Sequence, residues 1–233
     1  ALHHRRALRL AQKIGATDVE TQAEFGLARA LSILGRHRAS FTHYHSASRL
    51  YGTFMNRSGQ ARSELGCADS LVATNRFSEC ISHYRRALKL AQESGNKPTE
   101  AGAERGWGDA LRYAGRAQAS IRHYRRAATL LVEVGDHVAE GYAWRGSGHA
   151  LFAVKRYRAG AAHFEKSRDA FIAAGNSIEA GVSLMRCGNE LKALGRYSEA
   201  SVYYARAAEL EGSEEIRRPE AQNQLDWANS LSQ

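Results

Sequence analysis

Residues 188–207 read GNELKALGRYSEASVYYARA. Gly188 and Leu191 recur at helical spacing, the chain then meets Gly195-Arg196-Tyr197, and Ala200, Tyr204 and Ala207 resume the helical spacing. A glycine between two such stripes supplies the left-handed residue that closes a helix. The stretch therefore reads as the end of one helix, a tight turn and a second helix.

The same pattern recurs outward from this stretch with a period of about 40 residues. With frames drawn at Thr21, Ala61, Ala101, Gly141 and Gly181, Leu31, Leu71, Leu111, Leu151 and Leu191 align, as do Arg36, Arg76, Arg116, Arg156 and Arg196. Tyr44, Tyr84, Tyr124, Phe164 and Tyr204 form an aromatic column, and Ala47, Ala87, Ala127 and Ala207 a small one with Ser167 in the fourth place. No gap is needed. Residues 1–20 match the second half of a repeat and 221–233 the first half, so the reading is one domain over 1–233: half repeat 1–20, repeats 21–60, 61–100, 101–140, 141–180 and 181–220, and half repeat 221–233.

Each repeat reads as two helices, about twelve in all. The first ends at Gly35, Gly115 or Gly195. Asn75 serves that position in the second repeat, since Asn tolerates the left-handed region. Lys155 is a departure expected to loosen or extend its turn, and Met55 breaks the second glycine column of Gly15, Gly95, Gly135 and Gly175. Asn96, Asp136 and Asn176 follow those glycines as caps of the next helix. Ala28, Ala68, Gly108, Gly148 and Gly188 are expected where helices approach closely.

The succession Gly188…Leu191…Gly195-Arg196-Tyr197…Ala200…Tyr204…Ala207 resembles the tetratricopeptide repeat in a longer form, over the whole chain. Such arrays occur in spindle-orientation adaptors, kinesin light chains, and bacterial signalling ATPases and transcriptional regulators with helical-repeat sensor regions. The aromatic that the family carries early in the first helix is met only as Trp144, where the other repeats have Glu24, Glu64, Glu104 and Leu184. The resemblance implies an all-α, right-handed superhelical solenoid of antiparallel helix pairs, with a concave face built by the first helices.

Composition bounds the function. Hydrophobic residues make up 43% of the 233, which excludes wholesale disorder. No stretch approaches the roughly 18 uninterrupted apolar residues of a membrane span, and the polar start Ala1-Leu2-His3-His4-Arg5-Arg6 does not read as a secretory signal. Cys67, Cys80 and Cys187 are scattered, which fits a reducing, cytoplasmic setting. The net charge is +9, with 27 Arg against 6 Lys. That balance admits acidic partners, and equally reflects a codon bias toward arginine.

No catalytic constellation emerges. Gly106-Trp107-Gly108 and Gly146-Ser147-Gly148 lie in repeat helices without the Gly-Lys-Ser/Thr of a phosphate loop, and there is no nucleophile elbow or His-Glu-x-x-His. The chain is expected to be no enzyme and to need no cofactor or metal. His3, His43, His83, His123 and His163 recur once per repeat. Equivalent residues of stacked helix pairs sit roughly 10 Å or more apart, too far to share a metal, so the column reads as structural. Arg5-Arg6, Arg85-Arg86 and Arg125-Arg126 line the outer side of the second helices. They suit nucleic acid or an acidic protein, or are a solvated face.

In the family, ligand-facing positions recur along the first helices. Carried over, one column is Arg29, Asp69, Asp109, His149, Asn189 and Asn229. A second is Phe25, Leu65, Arg105, Arg145, Met185 and Leu225, and a third Ser32, Val72, Arg112, Phe152, Lys192 and Ser232. The expected peptide or partner groove is Arg105, Asp109, Arg112, Tyr113, Tyr142, Arg145, His149, Phe152, Asn189 and Lys192. Asn pairs with peptide backbone, Arg forks onto carboxylates and aromatics anchor. The alternative is that Asp69 and Asp109 pair with Arg105 or Arg112, leaving a self-satisfied surface. Asp at places where the family's clamp for chaperone C-termini needs Asn disfavours that ligand. The expected function is a non-catalytic protein-interaction scaffold, the sensor or scaffold part of a larger signalling or transcriptional regulator. The alternative is nucleic-acid binding by the convex arginines. A chain that starts and ends inside a repeat is expected to be a fragment, or to associate end to end.

Overall fold

A computed structural model describes residues 2–211. The expected half repeat 221–233, with Leu225, Asn229 and Ser232, lies outside the described residues. Among these there are eleven helices and no strand: α1 Leu2–Ile14, α2 Thr17–Ile33, α3 His37–Thr53, α4 Arg57–Val72, α5 Phe77–Glu93, α6 Lys97–Tyr113, α7 Ala117–Val134, α8 His137–Ala153, α9 Tyr157–Ala173, α10 Ser177–Ala193 and α11 Tyr197–Glu211. First helices start at Thr17, Arg57, Lys97, His137 and Ser177, and second helices at His37, Phe77, Ala117, Tyr157 and Tyr197. The period read from the sequence therefore holds without drift, one helical turn ahead of the frame drawn at Thr21. Within each unit, residues 1–116 and 117–233, each helix packs on its neighbours in sequence, the all-α helix-pair arrangement of a solenoid.

The turns recur twice in every repeat. Each holds one left-handed residue: Gly15, Gly35, Gly95, Gly115, Gly135, Gly175 and Gly195, and also Met55 (φ 52°), Asn75 (φ 58°) and Lys155 (φ 61°). The turn at Lys155 is neither loosened nor extended, contrary to expectation. Arg156 N–H reaches Leu151 O at 2.8 Å, as Arg36 reaches Leu31 and Arg116 reaches Leu111, each also at 2.8 Å. The leucine and arginine columns are thus the two ends of the bond that closes the turn. Packing of the flanking helices holds Lys155 and Met55 in a conformation that costs a non-glycine residue about 1–2 kcal/mol. Met55 is 87% exposed and loses no contact on truncation. Met55→Gly is expected to raise the stability by about 0.5–1 kcal/mol, net of the greater freedom of glycine in the unfolded chain. An unchanged or lower urea midpoint would show that the turn carries no strain.

Side-chain caps complete the first helices: Asn56, Asn96, Asp136 and Asn176 accept from the N–H of Gly59, Thr99, Ala139 and Glu179. Ala16 leaves α2 without one.

The chain divides into two compact units, Ala1–Arg116 and Ala117–Gln233. In the first, Tyr84 is buried among Ala68, Leu71, Cys80, Ala87 and Ala103. Its ring lies where Gly106 leaves room, since a Cβ there would meet it at 2.6–2.8 Å. In the second, Tyr124 packs with Ile121, Ala150 and Leu151, and Phe164 with Phe152, Cys187 and Leu191.

The histidine column is a packing column. In the first unit, Glu24 accepts from His43 Nδ1 at 2.6 Å and Glu64 from His83 Nδ1 at 2.7 Å. These glutamates stand where the family has its aromatic, so an ion-pair-capable couple replaces an apolar contact. In the second unit Trp144 restores the aromatic, its ring lies edge-on to His163 at 4.9 Å, and His163 Nδ1 bonds Ser147 Oγ at 2.9 Å. Burial, then the charges of Lys166, Arg125 and Arg156, push His163 down to about 4.

Candidate functional site

Within each unit the first helices of successive repeats approach one another, α2 to α4 and α4 to α6 in the first, α8 to α10 in the second. No two second helices approach so closely among the described residues. The first helices are therefore the inner layer of each unit, and the expected groove columns lie on them.

In the first unit Tyr84 Oη donates to Asp69 Oδ1 at 2.7 Å. Solvent reaches Asp69, yet protein crowds its carboxyl. Desolvation raises its pKa, against the opposing pull of the Tyr84 bond and Arg105. Asp109 accepts from Arg105 Nη1 at 3.3 Å and lies 3.8 Å from Arg112 Nη2. Arg105, Asp109 and Arg112 thus form one surface network, the internal pairing weighed above. The Arg112 guanidinium covers the Tyr113 ring at 4.3 Å, and that ring stacks on Phe77 at 6.2 Å while remaining 57% exposed.

In the second unit Tyr142, Arg145 and Glu179 make a second cluster. Glu179 accepts from Arg145 Nη1 at 2.6 Å and from Tyr142 Oη at 3.1 Å. The guanidinium lies over Tyr142 at 4.7 Å and Phe171 at 5.4 Å. Burial and the Glu179 bond raise the Tyr142 phenol above its usual value. His149 Nδ1 pairs with Glu190 at 2.7 Å and its ring meets Phe164 edge-on at 4.9 Å. Tyr204 Oη donates to Asn189 Oδ1 at 2.7 Å, and Lys192 is half-buried beside them in sequence on α10.

Phe152 is a correction. It was expected to line the groove, but it is 5% exposed and packs with Phe164, Cys187, Leu191 and Ala200, over the space left by Gly160. At the last turn of α8 its side chain leans back toward the pair of helices rather than outward. Glu179, Glu190 and Phe171 were missed. Glu179 had a signal: its column otherwise reads Val19, Gly59, Thr99 and Ala139, so one acid appears in it, one repeat on from Arg145.

Elsewhere in the second unit a depression of about 430 Å³ is lined by His137, Glu140, Trp144, Lys166 and Asp169. Its polar groups are already engaged: Lys166 covers Trp144 at 4.5 Å, and Glu140 holds Trp144 Nε1 and His137. Among the described residues no three His, Cys, Asp or Glu converge as a metal site. Burial pushes Cys80 up to about 11 and Cys187 to about 12, and also raises Cys67, which makes all three poor nucleophiles. No helix among the described residues is long and apolar enough to cross a membrane.

The geometry within each unit is that of stacked helix pairs, the fold of tetratricopeptide-type repeats. No protein-family model matches the chain, and no curated protein matches its sequence. Solved structures share its fold. BtubC (BKLC) from P. vanneervenii superposes with a TM-score of 0.74 at 13% identity, over 90% of this chain and 89% of that one. A Podosopora anserina putative kinesin light chain with nearly identical TPR-like repeats gives 0.67 at 11%, over 82% and 93%. A Rap protein complexed with Competence and Sporulation Factor gives 0.65 at 13%, over 91% and 64%. At such identities the likeness is one of fold.

Proposed function

We propose that this chain is a non-catalytic protein-interaction scaffold that holds an extended peptide or partner segment against its inner, first-helix layer, as the sensor or scaffold part of a larger regulator. The observation that carries the reading is the contrast between columns. The leucine column of Leu31 and the aromatic column of Tyr44 keep their chemistry from repeat to repeat, whereas the inner column runs Arg29, Asp69 and Asp109 in the first unit, which also exposes the ring of Tyr113, and His149 and Asn189 in the second, which exposes that of Tyr142. Aromatic and arginine side chains are the usual anchors of such contacts. The Rap protein solved with Competence and Sporulation Factor supports the reading by analogy of fold.

Peptides selected on the full chain from a random display library test it. Tyr142→Ala is expected to weaken the selected peptides by about 10–100-fold while leaving the melting temperature within a few degrees. Selection of no peptide, or affinities indifferent to both Tyr142→Ala and Tyr113→Ala, would defeat the proposal.

A further inference from the structure

The positive charge of this chain is not spread evenly. Residues 1–116 carry 18 of the 33 Lys and Arg but 10 of the 24 Asp and Glu, a net of +8. Residues 117–233 carry 15 and 14, a net of +1. A codon bias toward arginine acts on the whole chain and does not produce this division.

Within the first unit the excess sits on the second helices. The exposed outer stripe of α3 is Arg38, Thr42, His45 and Arg49, and that of α5 is Ser78, Ser82, Arg85 and Lys89. Helix α1 exposes Arg5 and Arg9 in the same register. Between Arg38 and Arg49 and between Ser78 and Lys89 the stripe contains no carboxylate, and Glu93 ends it on α5. Arg5, Arg9, Arg38, Arg49 and Arg85 make no ion pair or side-chain hydrogen bond among the described residues, and Lys89 only approaches Glu93 at 4.0 Å. In the second unit the same register stays basic on α7, with Arg122 and Arg125, and gains acids on α9 and α11, where Glu165 and Asp169 follow Arg158 and Glu209 stands alone. Some arginines elsewhere in the chain find partners: Arg76 with Glu79, Arg196 with Glu199, Arg206 with Glu165.

Its chemistry favours phosphate. Guanidinium, ammonium and hydroxyl groups are what proteins present to a nucleic-acid backbone. A protein partner draws its affinity from buried apolar anchors, and neither α3 nor α5 exposes a large hydrophobic residue within its span, whereas α1 exposes Leu2, Leu10 and Ile14. Single strands are held by stacking on exposed rings, whereas Tyr44 and Tyr84 on these helices are buried. We propose that the outer face of α1, α3 and α5 binds the phosphate backbone of double-stranded nucleic acid without reading its sequence. This face lies opposite the inner layer and does not depend on the peptide reading.

The test is fluorescence anisotropy of the full chain with a labelled 20-base-pair duplex of mixed sequence. With four to six phosphate contacts, affinity is expected to fall by a factor of about 10²–10³ between 50 and 200 mM salt. The variant Arg38→Glu, Arg49→Glu, Arg85→Glu is expected to bind at least about 100-fold more weakly at 50 mM, with an unchanged melting temperature because these side chains hold nothing in the fold. Arg38→Lys, Arg49→Lys, Arg85→Lys keeps the charges and is expected to stay within about threefold of wild type, since a phosphate accepts either cation. Tyr142→Ala is expected to bind the duplex like wild type. The proposal is overturned if the duplex is not bound at 50 mM, or if the glutamate variant binds it equally well. It is also overturned if a poly-glutamate peptide or an anionic vesicle is bound as tightly as the duplex, which would assign the stripe to acidic protein or lipid.

Discussion

Replacing Glu64 with alanine is expected to cost about 3 kcal/mol of stability at pH 7, read as a lowered urea midpoint. The Glu64 side chain is 2% exposed and accepts from Ser48 Oγ at 2.6 Å, His83 Nδ1 at 2.7 Å and Arg86 Nη1 at 3.2 Å. Burial alone would raise its pKa. The His83 and Ser48 bonds and the Arg86 charge outweigh it and hold the carboxyl below its ordinary 4.5. An ionised carboxylate only accepts, so His83 Nδ1 carries the hydrogen. Removing Glu64 leaves the Ser48 hydroxyl and that ring N–H without a partner. Removing His83 as well, as Glu64→Ala, His83→Phe, is expected to recover part of the loss, because a missing pair costs less than an orphaned half. The pH dependence follows from the sign of the shift. A carboxyl depressed in the folded state contributes stability above its unfolded pKa, and that contribution is lost as pH falls through the folded value. The gap between wild type and Glu64→Ala should therefore be full at pH 7 and begin to narrow only below about 4.5. A gap that is constant down to pH 3 would mean that the carboxylate charge plays no part.

These glutamates mark where sequence reading met its limit. Glu24, Glu64 and Glu104 stood out as departures from the family's aromatic, and His43, His83 and His123 as a structural column without a named partner. Both observations were in plain view, but the link between them crosses from the first helix of a repeat to the second, and a single repeat does not announce it. The fourth repeat is the control: with Trp144 in place of the glutamate, His163 takes Ser147 instead. The turns make the opposite case. Glycine columns mark seven of the ten left-handed positions, and the period alone locates Met55, Asn75 and Lys155. What recurs at every turn is a backbone conformation, and glycine is only its easiest occupant. Helix boundaries were therefore legible to within one turn along the array. The inner-layer residues were legible as columns but not as contacts. Arg145 meets Glu179 and His149 meets Glu190 from one repeat to the next. Such pairs depend on how successive first helices approach, which spacing within one helix does not determine.

One pairing rule across helices is strong enough to be engineered. Tyr84 donates its hydroxyl to Asp69, and Tyr204 donates to Asn189, 15 residues earlier in each case. In the fourth repeat the ring is Phe164, without a hydroxyl, and the residue at the matching place is His149, which turns the edge of its ring to the phenyl group and its Nδ1 to Glu190. In the second and fifth repeats the inner-layer residue is thus tied to the aromatic of the facing helix, and there it is only partly free to serve a ligand. Phe164→Ala, which empties a fully buried site, is expected to cost about 3–5 kcal/mol. Phe164→Tyr keeps the ring but brings a hydroxyl against His149 and is expected to cost about 1–3 kcal/mol. His149→Asn alone gives up a half-exposed pair with Glu190, worth at most about 1 kcal/mol. The double variant Phe164→Tyr, His149→Asn rebuilds the couple seen at Tyr204 and Asn189, and should be more stable than the sum of its parts by about 1–2 kcal/mol. Strict additivity in that cycle would reduce the matched columns to coincidence. A positive coupling would mean that a repeat's buried tyrosine selects its inner-layer residue, so that Asp69 and Asn189 answer first to the core and only then to a ligand.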